Sequence, residues 1–263
     1  MTLRGNKRAL ELHSQMIAQG KIPIMLYKHT SISDNLKKSL KNAELWFADP
    51  TSFNDPFDCQ INDQTKWTDE LIKDYVSYTS KLNAEKINPI DIVKANKDNP
   101  GSFAKHFTTT FKKNLAKIGV TCFLSSPDNL LLWAHYSSSH KGICLKFDIT
   151  KDPDFFALTF AVKYSKDYPV FDYLTERHDL VNKAILTKSY HWEYEAEIRT
   201  LQKTFGKYSF KKECLTEIIF GCKSDLKEVD EIRQIITDAK YPNLKFKQVR
   251  LRDNQYDIDI IDI

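Results

Sequence analysis

Along most of this chain apolar residues recur at every third or fourth position or at every second one, and the change between the two periods divides it into helices and strands. After an amphipathic N-terminal helix, KIPIMLYKHT reads as a strand, SDNLKKSLKN as a helix capped near Ser33 or Asp34, and AELWFADP as a second strand. TSFNDPFDCQ follows as a loop, with Asn54, Asp55 and Pro56 set between aromatics. From about 68 to 117 the period is helical, with Leu71, Tyr75 and Tyr78 in step and a break at Asn99, Pro100 and Gly101. This block has the character of an insertion, expected over 62–118.

Strand character returns with IGVTCFLSS, then a short helix DNLLLWAHYSSS capped by Asp128, a turn at His140, Lys141 and Gly142, and the strand ICLKFDI. The pattern then predicts a strand FALTFAVKYS, a helix from about 175 to 188, strands HWEYEAEIRTL and LTEIIFG, a helix SDLKEVDEIRQIITDAK, and terminal strands LKFKQVRL and YDIDIIDI. No repeat, low-complexity linker or composition break divides the chain, so 1–263 is expected to be a single α+β domain with mainly antiparallel strands.

One of these strands is unusually charged. In WEYEAEIRTL, strict alternation points Glu195, Glu197 and Arg199 one way and Tyr194, Ala196 and Ile198 the other. The plain reading is an antiparallel strand with a wet face. The sharper one is that the charged face lines a cleft.

Composition narrows the classes. With 263 residues, 41% of them hydrophobic and 12% aromatic, there is ample material for a packed core. No apolar run approaches the roughly 20 residues needed to span a bilayer. Residues 1–20 show no apolar core followed by a small-residue cleavage site, so the expected location is the cytoplasm, with no membrane partner. The five cysteines are scattered without a CxxC pair, which suggests neither a disulfide framework nor a zinc knuckle. A formal charge of +4 permits a nucleic-acid partner. The bias is local in KTFGKYSFKK, where Lys203, Lys207 and Lys211 interleave with Phe205, Tyr208 and Phe210 in a mixture suited to neutralising phosphate and stacking on bases. A solvated hairpin around Gly206 fits the same pattern.

The usual fingerprints fail: there is no GxGxxG, P-loop, HExxH or GxSxG, and seven glycines make a glycine-rich phosphate cradle an unpromising expectation. His135, Tyr136 and His140 lie close together, but no Asp, Glu or Cys at ligand spacing joins them, so no metal is expected. Tyr27, Lys28, His29 and Thr30 end a strand just before a helix N-terminus, a corner that attracts anions such as pyrophosphate; an exposed strand end is the plain alternative.

Three ordered blocks, LYKHTSISDNLKKSLKNAELWFADPTSFNDPFD, CFLSSPDNLLLWAHYSSSHKGICLKFD and KSYHWEYEAEIRTL followed by LTEIIFG, resemble a bacterial family catalogued as a domain of unknown function, number twenty-nine seventy-one. The specific part is the conjunction of FNDPFD, WAHY with HKG, and WxYExEIR. The same blocks also resemble the ADP-ribosyltransferase superfamily, in particular its nucleic-acid-modifying toxins. LYKHTSISDNL is similar to that group's opening strand and helix, CFLSSPDNLLLWAHY to its central strand and Pro-containing turn, and EAEIRTL to the motif that carries its catalytic glutamate. The sequence departs from the pattern at the first motif, where Lys28 stands for His or Arg.

The resemblance implies an ADP-ribosyltransferase-like fold and NAD as substrate. It implies Glu197 as the catalytic glutamate, Glu195 as the substrate-side residue of a Glu-x-Glu pair, and Lys28 or His29 as an NAD contact. Tyr27, Thr30, Asn54, Ser125 and Tyr136 complete the expected NAD-binding set, and Lys203, Lys207, Tyr208 and Lys211 the nucleic-acid-binding set. A carboxylate against the ribose can oppose the oxocarbenium charge that develops as nicotinamide leaves. The implied role is a toxin of a toxin–antitoxin or phage-defence system that modifies nucleic acid, RNA first, or protein, with an antitoxin protein as a partner. Two other classes stay open at this point. One is a non-catalytic module that senses a nucleotide. The other is a nuclease or other hydrolase with Glu195, Glu197 and Asp55 around Mg²⁺.

Overall fold

The structure is a computed structural model that describes residues 6–83, 87–176 and 179–263. In chain order the elements are α1 (Lys7–Ala18), β1 (Met25–Thr30), α2 (Asp34–Asn42), β2 (Glu44–Phe47), β3 (Asn62–Asp63), α3 (Asp69–Asn83), α4 (Pro89–Asp98), α5 (Ser102–Leu115), β4 (Gly119–Leu124) and α6 (Leu130–Tyr136). They continue with β5 (Ile143–Asp148), β6 (Thr159–Ala161), β7 (Lys163–Ser165), β8 (Val170–Phe171), α7 (Tyr173–Glu176), α8 (Leu180–Ile185) and β9 (Thr187–Ser189). The last are β10 (Glu197–Gln202), β11 (Gly206–Ser209), β12 (Leu215–Phe220), α9 (Leu226–Asp238), β13 (Lys245–Leu251) and β14 (Ile258–Asp262). The α+β class expected from the pattern is what the chain adopts.

Among the described residues one eight-stranded sheet runs β14-β13-β12-β5-β1-β4-β10-β6, and every neighbouring pair in it is antiparallel except β12 with β13. One face is covered by α2 and α9. Ser33 caps α2 by accepting from the Leu36 N–H, and the i,i+4 pair Leu36 and Leu40 then meets Ile232 and Ile236 of α9 over Leu26, Leu145, Phe147 and Phe220 of the sheet. On the other face Trp133 of α6 is buried with Cys144, Ile219, Val249 and Ile258. Removing aromatic and aliphatic side chains of this size from water stabilises the fold by roughly 1.5–3 kcal/mol each.

The helical block packs around its own aromatic centre. Phe103, Phe107 and Phe111 repeat every four residues along α5, and Trp67 makes ring contacts with Tyr75, Phe103, Phe107 and Tyr173. Leu71 and Tyr75 face this core as their spacing predicts, whereas Tyr78 is exposed. The core takes in Phe171 and Tyr173 from beyond residue 118, and β3 pairs with β8, so the block is stitched to the chain that follows it.

Four predicted elements are placed differently. FALTFAVKYS breaks into β6, which pairs with β10, and β7, which pairs with β9. Lys188 ends not a helix but lies in β9; α7 and α8 are short, and residues 177 and 178 of the expected helix lie outside the described ones. The helix after β4 starts one residue later than predicted: Asn129, not Asp128, is its cap, accepting from the Leu131 N–H at 2.9 Å while Asp128 accepts from Ser126. Residues 191–201 are not one strand, because Tyr190–Glu195 forms a 3₁₀ turn and Ala196 adopts a left-handed φ of 44° before β10 begins at Glu197. A non-glycine residue in that conformation costs about 1–2 kcal/mol, which packing of the turn has to offset.

Candidate active site

The strand order brings the three separated sequence blocks side by side, since β4 lies between β1 and β10. Glu197 and Tyr27 both register with Leu124, and Arg199 registers with Cys122. All six residues of β10 are buried, so the charged positions are not a wet strand face. What covers them is the FNDPFD loop from one side and the Tyr190–Glu195 turn from the other. Asp55 ties the two covers together, accepting from the Trp192 indole N–H at 2.7 Å and from the Phe57 N–H at 2.9 Å.

Arg199 is completely buried, and each nitrogen of its guanidinium is engaged. Nε donates to Glu197 Oε1 at 2.8 Å, and the two terminal nitrogens donate to Asp58 Oδ1 at 3.0 Å, Asp58 Oδ2 at 2.5 Å, Glu197 Oε2 at 3.2 Å and the Ile185 carbonyl at 2.6 Å. The ring of Phe53 lies 5.2 Å from the guanidinium carbon. Such a planar fork satisfies two carboxylates at once, which is what a buried arginine requires.

Lys188 completes the cluster. Its ammonium donates to Glu195 Oε2 at 2.6 Å and to Glu197 Oε2 at 2.8 Å, and lies 5.0 Å from the Trp192 ring centre. Glu195 is therefore beside Glu197, as the sequence suggests, but through a shared lysine and a turn, not through strand alternation. The Tyr136 hydroxyl donates to the other oxygen of Glu195 at 2.7 Å, and the Tyr164 hydroxyl accepts from the Glu197 backbone N–H at 2.7 Å.

Three carboxylates thus meet two cations, and the balance shifts their protonation. Burial alone would raise the Glu197 pKa, but Arg199 and then Lys188 outweigh it and bring the carboxyl down to about 2. Burial would lower the Lys188 pKa, but Glu197 and Glu195 outweigh it and push it up. Tyr136 is pushed up by burial and by its bond to Glu195.

These side chains line a cavity of about 190 Å³ together with Lys28, His29, Asn54 and Cys122. Lys28 brings a third cation that has no carboxylate partner among the described residues. It donates only to the Cys122 carbonyl, at 3.0 Å, and burial lowers its pKa. His29 packs edge-on against Trp133 with ring centres 4.6 Å apart, neither ring nitrogen has a well-aligned partner, and burial drops its pKa to about 4 although the Pro127 carbonyl opposes this. Two larger cavities share walls with the central one. One of about 350 Å³ shares Lys28, Phe53 and Cys122 and reaches Thr30 and the Ser33 end of α2; one of about 390 Å³ shares Lys188 and is lined by Phe57, Tyr168 and His191.

Of the residues singled out from the sequence, Glu195, Glu197, Lys28, His29, Asn54 and Tyr136 meet in the central cavity, and Thr30 lies in the neighbouring one. Tyr27 does not join them; it packs beside Leu130 and Trp133 with the Lys146 ammonium 6.0 Å from its ring. Ser125 is exposed just past β4 and lines none of these cavities. Lys203, Lys207 and Lys211 are exposed on and beside β11, which pairs with β2. Tyr208 turns its ring against Phe47 and its hydroxyl to Thr204, so the aromatic open to solvent in that segment is Phe205. Asp55 is spent on Trp192, and among the described residues no three His, Cys, Asp or Glu side chains are grouped to hold a metal ion. Nor does any helix of the described residues have the length and apolarity to cross a membrane.

Sequence reasoning missed Lys188 and Asp58. Asp58 had a visible signal in the second acid of FNDPFD; Lys188 had none, because a lone lysine before an aromatic run reads as surface.

The turn after α6 explains HKG. Ser138, Ser139 and His140 all have positive φ, and Gly142 passes so close to β1 that an added Cβ would lie 2.3 Å from the Thr30 carbonyl oxygen. Only glycine permits that approach. It anchors the end of α6, and with it Tyr136, against β1.

Residues 132–200 match the model of a family described as protein of unknown function (DUF2971). The matched span runs from α6 to β10 and so holds WAHY, HKG and WxYExEIR, but not the β1 block or FNDPFD. No curated protein and no solved structure matches the chain.

Proposed function

We propose that this chain is an NAD-dependent ADP-ribosyltransferase that uses Glu197 against the nicotinamide ribose and Glu195 toward the acceptor. The observation that carries the reading is the meeting, in one cavity, of Lys28, His29, Asn54, Tyr136, Glu195 and Glu197 from the three resemblance blocks, with a carboxylate held ionised among them. In this reading the nicotinamide ribose occupies the central cavity, while the pyrophosphate lies toward Lys28 and the N-terminus of α2 in the neighbouring one. The C1′–N bond breaks, nicotinamide departs with the bonding pair, and Glu197 opposes the positive charge left on the ribose. The acceptor then bonds to C1′ and gives its proton to Glu195, which Lys188 and Tyr136 hold in place. A role as a toxin of a toxin–antitoxin or phage-defence system, with an antitoxin partner, rests on the superfamily resemblance alone.

The deciding experiment incubates the protein with NAD labelled in the adenosine half and separately with total RNA, DNA and cell lysate. Glu197→Gln is expected to cut nicotinamide release by about a hundredfold or more while the protein still melts cooperatively. A folded Glu197→Gln protein with wild-type turnover removes the assignment.

One observation favours a second reading. Both oxygens of Glu197 are already engaged by Arg199 and Lys188, an arrangement that also suits a non-catalytic nucleotide-sensing module. Calorimetric NAD binding without nicotinamide release would decide for it.

A further inference from the structure

The cavity of about 390 Å³ shares Lys188 with the central one, and it does not share a lining residue with the cavity that holds Thr30 and Ser33. Lys188 is the wall between it and the two glutamates. Its rim carries two large aromatic side chains left in solvent, Phe57 at 64% exposure and Tyr168 at 44%. Phe57 comes from the FNDPFD loop and Tyr168 from the segment between β7 and β8, and among the described residues neither ring contacts another aromatic ring. Beside them, the Asp167 carboxylate and the Lys166 ammonium have no partner among the described residues. Gln60 donates through Nε2 to the carbonyls of Pro56 and Asp58, which leaves its amide oxygen to accept.

We propose that this cavity is the acceptor site of the transfer reaction and that it takes a nucleobase of a single-stranded nucleic acid. The proposal rests on the transferase reading above for the word acceptor, and on the cavity itself for the base. Exposed aromatic rings recognise any base by stacking, and a free carboxylate and amide oxygen accept from amino and ring N–H groups on a base edge. The unpaired Lys166 and the overall charge of +4 favour a polyanion over a cationic peptide. In the reaction an amino or ring nitrogen of the base forms its bond to C1′ after nicotinamide has left with the bonding pair, and the displaced proton passes to Glu195.

This assignment moves the acceptor away from the basic segment 203–212. That segment borders the other cavity, because Lys207 registers with Trp46 and Trp46 lines the pocket of Thr30 and Ser33. Its lysines add sequence-independent attraction to phosphate, not recognition of the modified base.

The test is fluorescence anisotropy of short labelled single-stranded RNA and DNA oligonucleotides with the full chain, without NAD. Phe57→Ala and Tyr168→Ala are each expected to weaken binding about tenfold or more, consistent with losing one stacking partner. Both side chains are exposed, so their removal leaves the fold standing, and an unchanged melting temperature checks this. Asp167→Asn supplies the second variant and is expected to change which homopolymer binds best. Lys203→Ala combined with Lys207→Ala is expected to weaken all sequences alike and to flatten the salt dependence. Absence of oligonucleotide binding, or equal binding by wild type and both aromatic variants, overturns the proposal. So does label transfer to a lysate protein that Phe57→Ala abolishes. Oligonucleotide binding that needs Phe57 and Tyr168, with no nicotinamide release in any mixture, upholds the base site and overturns the transferase reading instead.

Discussion

On β5, β12 and β13, Glu217 sits between Lys146 at 2.9 Å and Lys247 at 3.4 Å; at the start of β10, Glu197 sits between Arg199 at 2.8 Å and Lys188 at 2.8 Å. Both are a carboxylate between two cations, the first within the eight-stranded sheet and the second where β10 of that sheet meets β9 of a separate two-stranded one. They differ in cover. The side chains of the first group keep 12% to 24% exposure, so water screens them and the attraction contributes about 0–1 kcal/mol. Those of the second keep 1% to 7%, beneath the FNDPFD loop and the Tyr190–Glu195 turn. There each charge depends on its partner, and removing one leaves the others buried and uncompensated. A wet strand face is thus the right account of one cluster and the wrong account of the other, although the charge pattern is the same.

Breaking the buried cluster gives the largest expected effect. Arg199→Met leaves Asp58 and Glu197 facing each other without a guanidinium, and urea denaturation should show a loss of about 3–5 kcal/mol. A loss under about 1 kcal/mol would mean that this cluster is as well screened as the one at Glu217. Lys188→Met should cost less, about 1–3 kcal/mol, because Glu195 keeps Tyr136 and Glu197 keeps Arg199.

The pH dependence sharpens the contrast. Glu197 titrates at about 2 in the folded chain against an ordinary 4.5, so the unfolded chain takes up that proton first as pH falls. Its contribution to stability is whole above about pH 5 and is lost down to about pH 2. His29 titrates at about 4 against 6.5, so the unfolded chain again binds the proton first, and this share of stability is lost between about pH 6.5 and 4. His29→Phe keeps a ring against Trp133 and should flatten that upper window while the lower one remains. Denaturation midpoints across both windows check this, and an unchanged upper limb would contradict the burial of His29. The smallest effect is expected at the half-buried cluster around Glu217. Lys247→Met should change stability by about 0.5 kcal/mol or less, and by still less in concentrated salt, where exposed charges are screened.

Much of the site was readable before the fold was known. Glu197, Glu195, Lys28, His29, Asn54 and Tyr136 converge because the blocks that carry them lie on or beside β1, β4 and β10, and strands with strong apolar periodicity are the elements a sequence states most clearly. The geometry within the site was not readable. Strict alternation puts Glu195 on the strand, but the left-handed Ala196 ends that alternation one residue before Glu197. Lys188 was hidden for a different reason: its burial depends on β9 pairing with β7, a contact between segments 24 residues apart in register.

By itself the sequence determined the α+β class, the capped α2, the aromatic stripe of α5 and the glycine at position 142, since these follow from local periods, caps and backbone sterics. It also determined that acids and bases would crowd the start of β10. Only the tertiary structure decided that they would be buried. Burial is a property of what lies on top, and one of the two covers, the FNDPFD loop, comes from about 140 positions earlier in the chain, through Asp58 on Arg199 and Asp55 on Trp192. A carboxylate and a guanidinium side by side on a strand carry little energy in water and much more where water is excluded, and no periodicity along the chain reports which of the two surroundings they will meet.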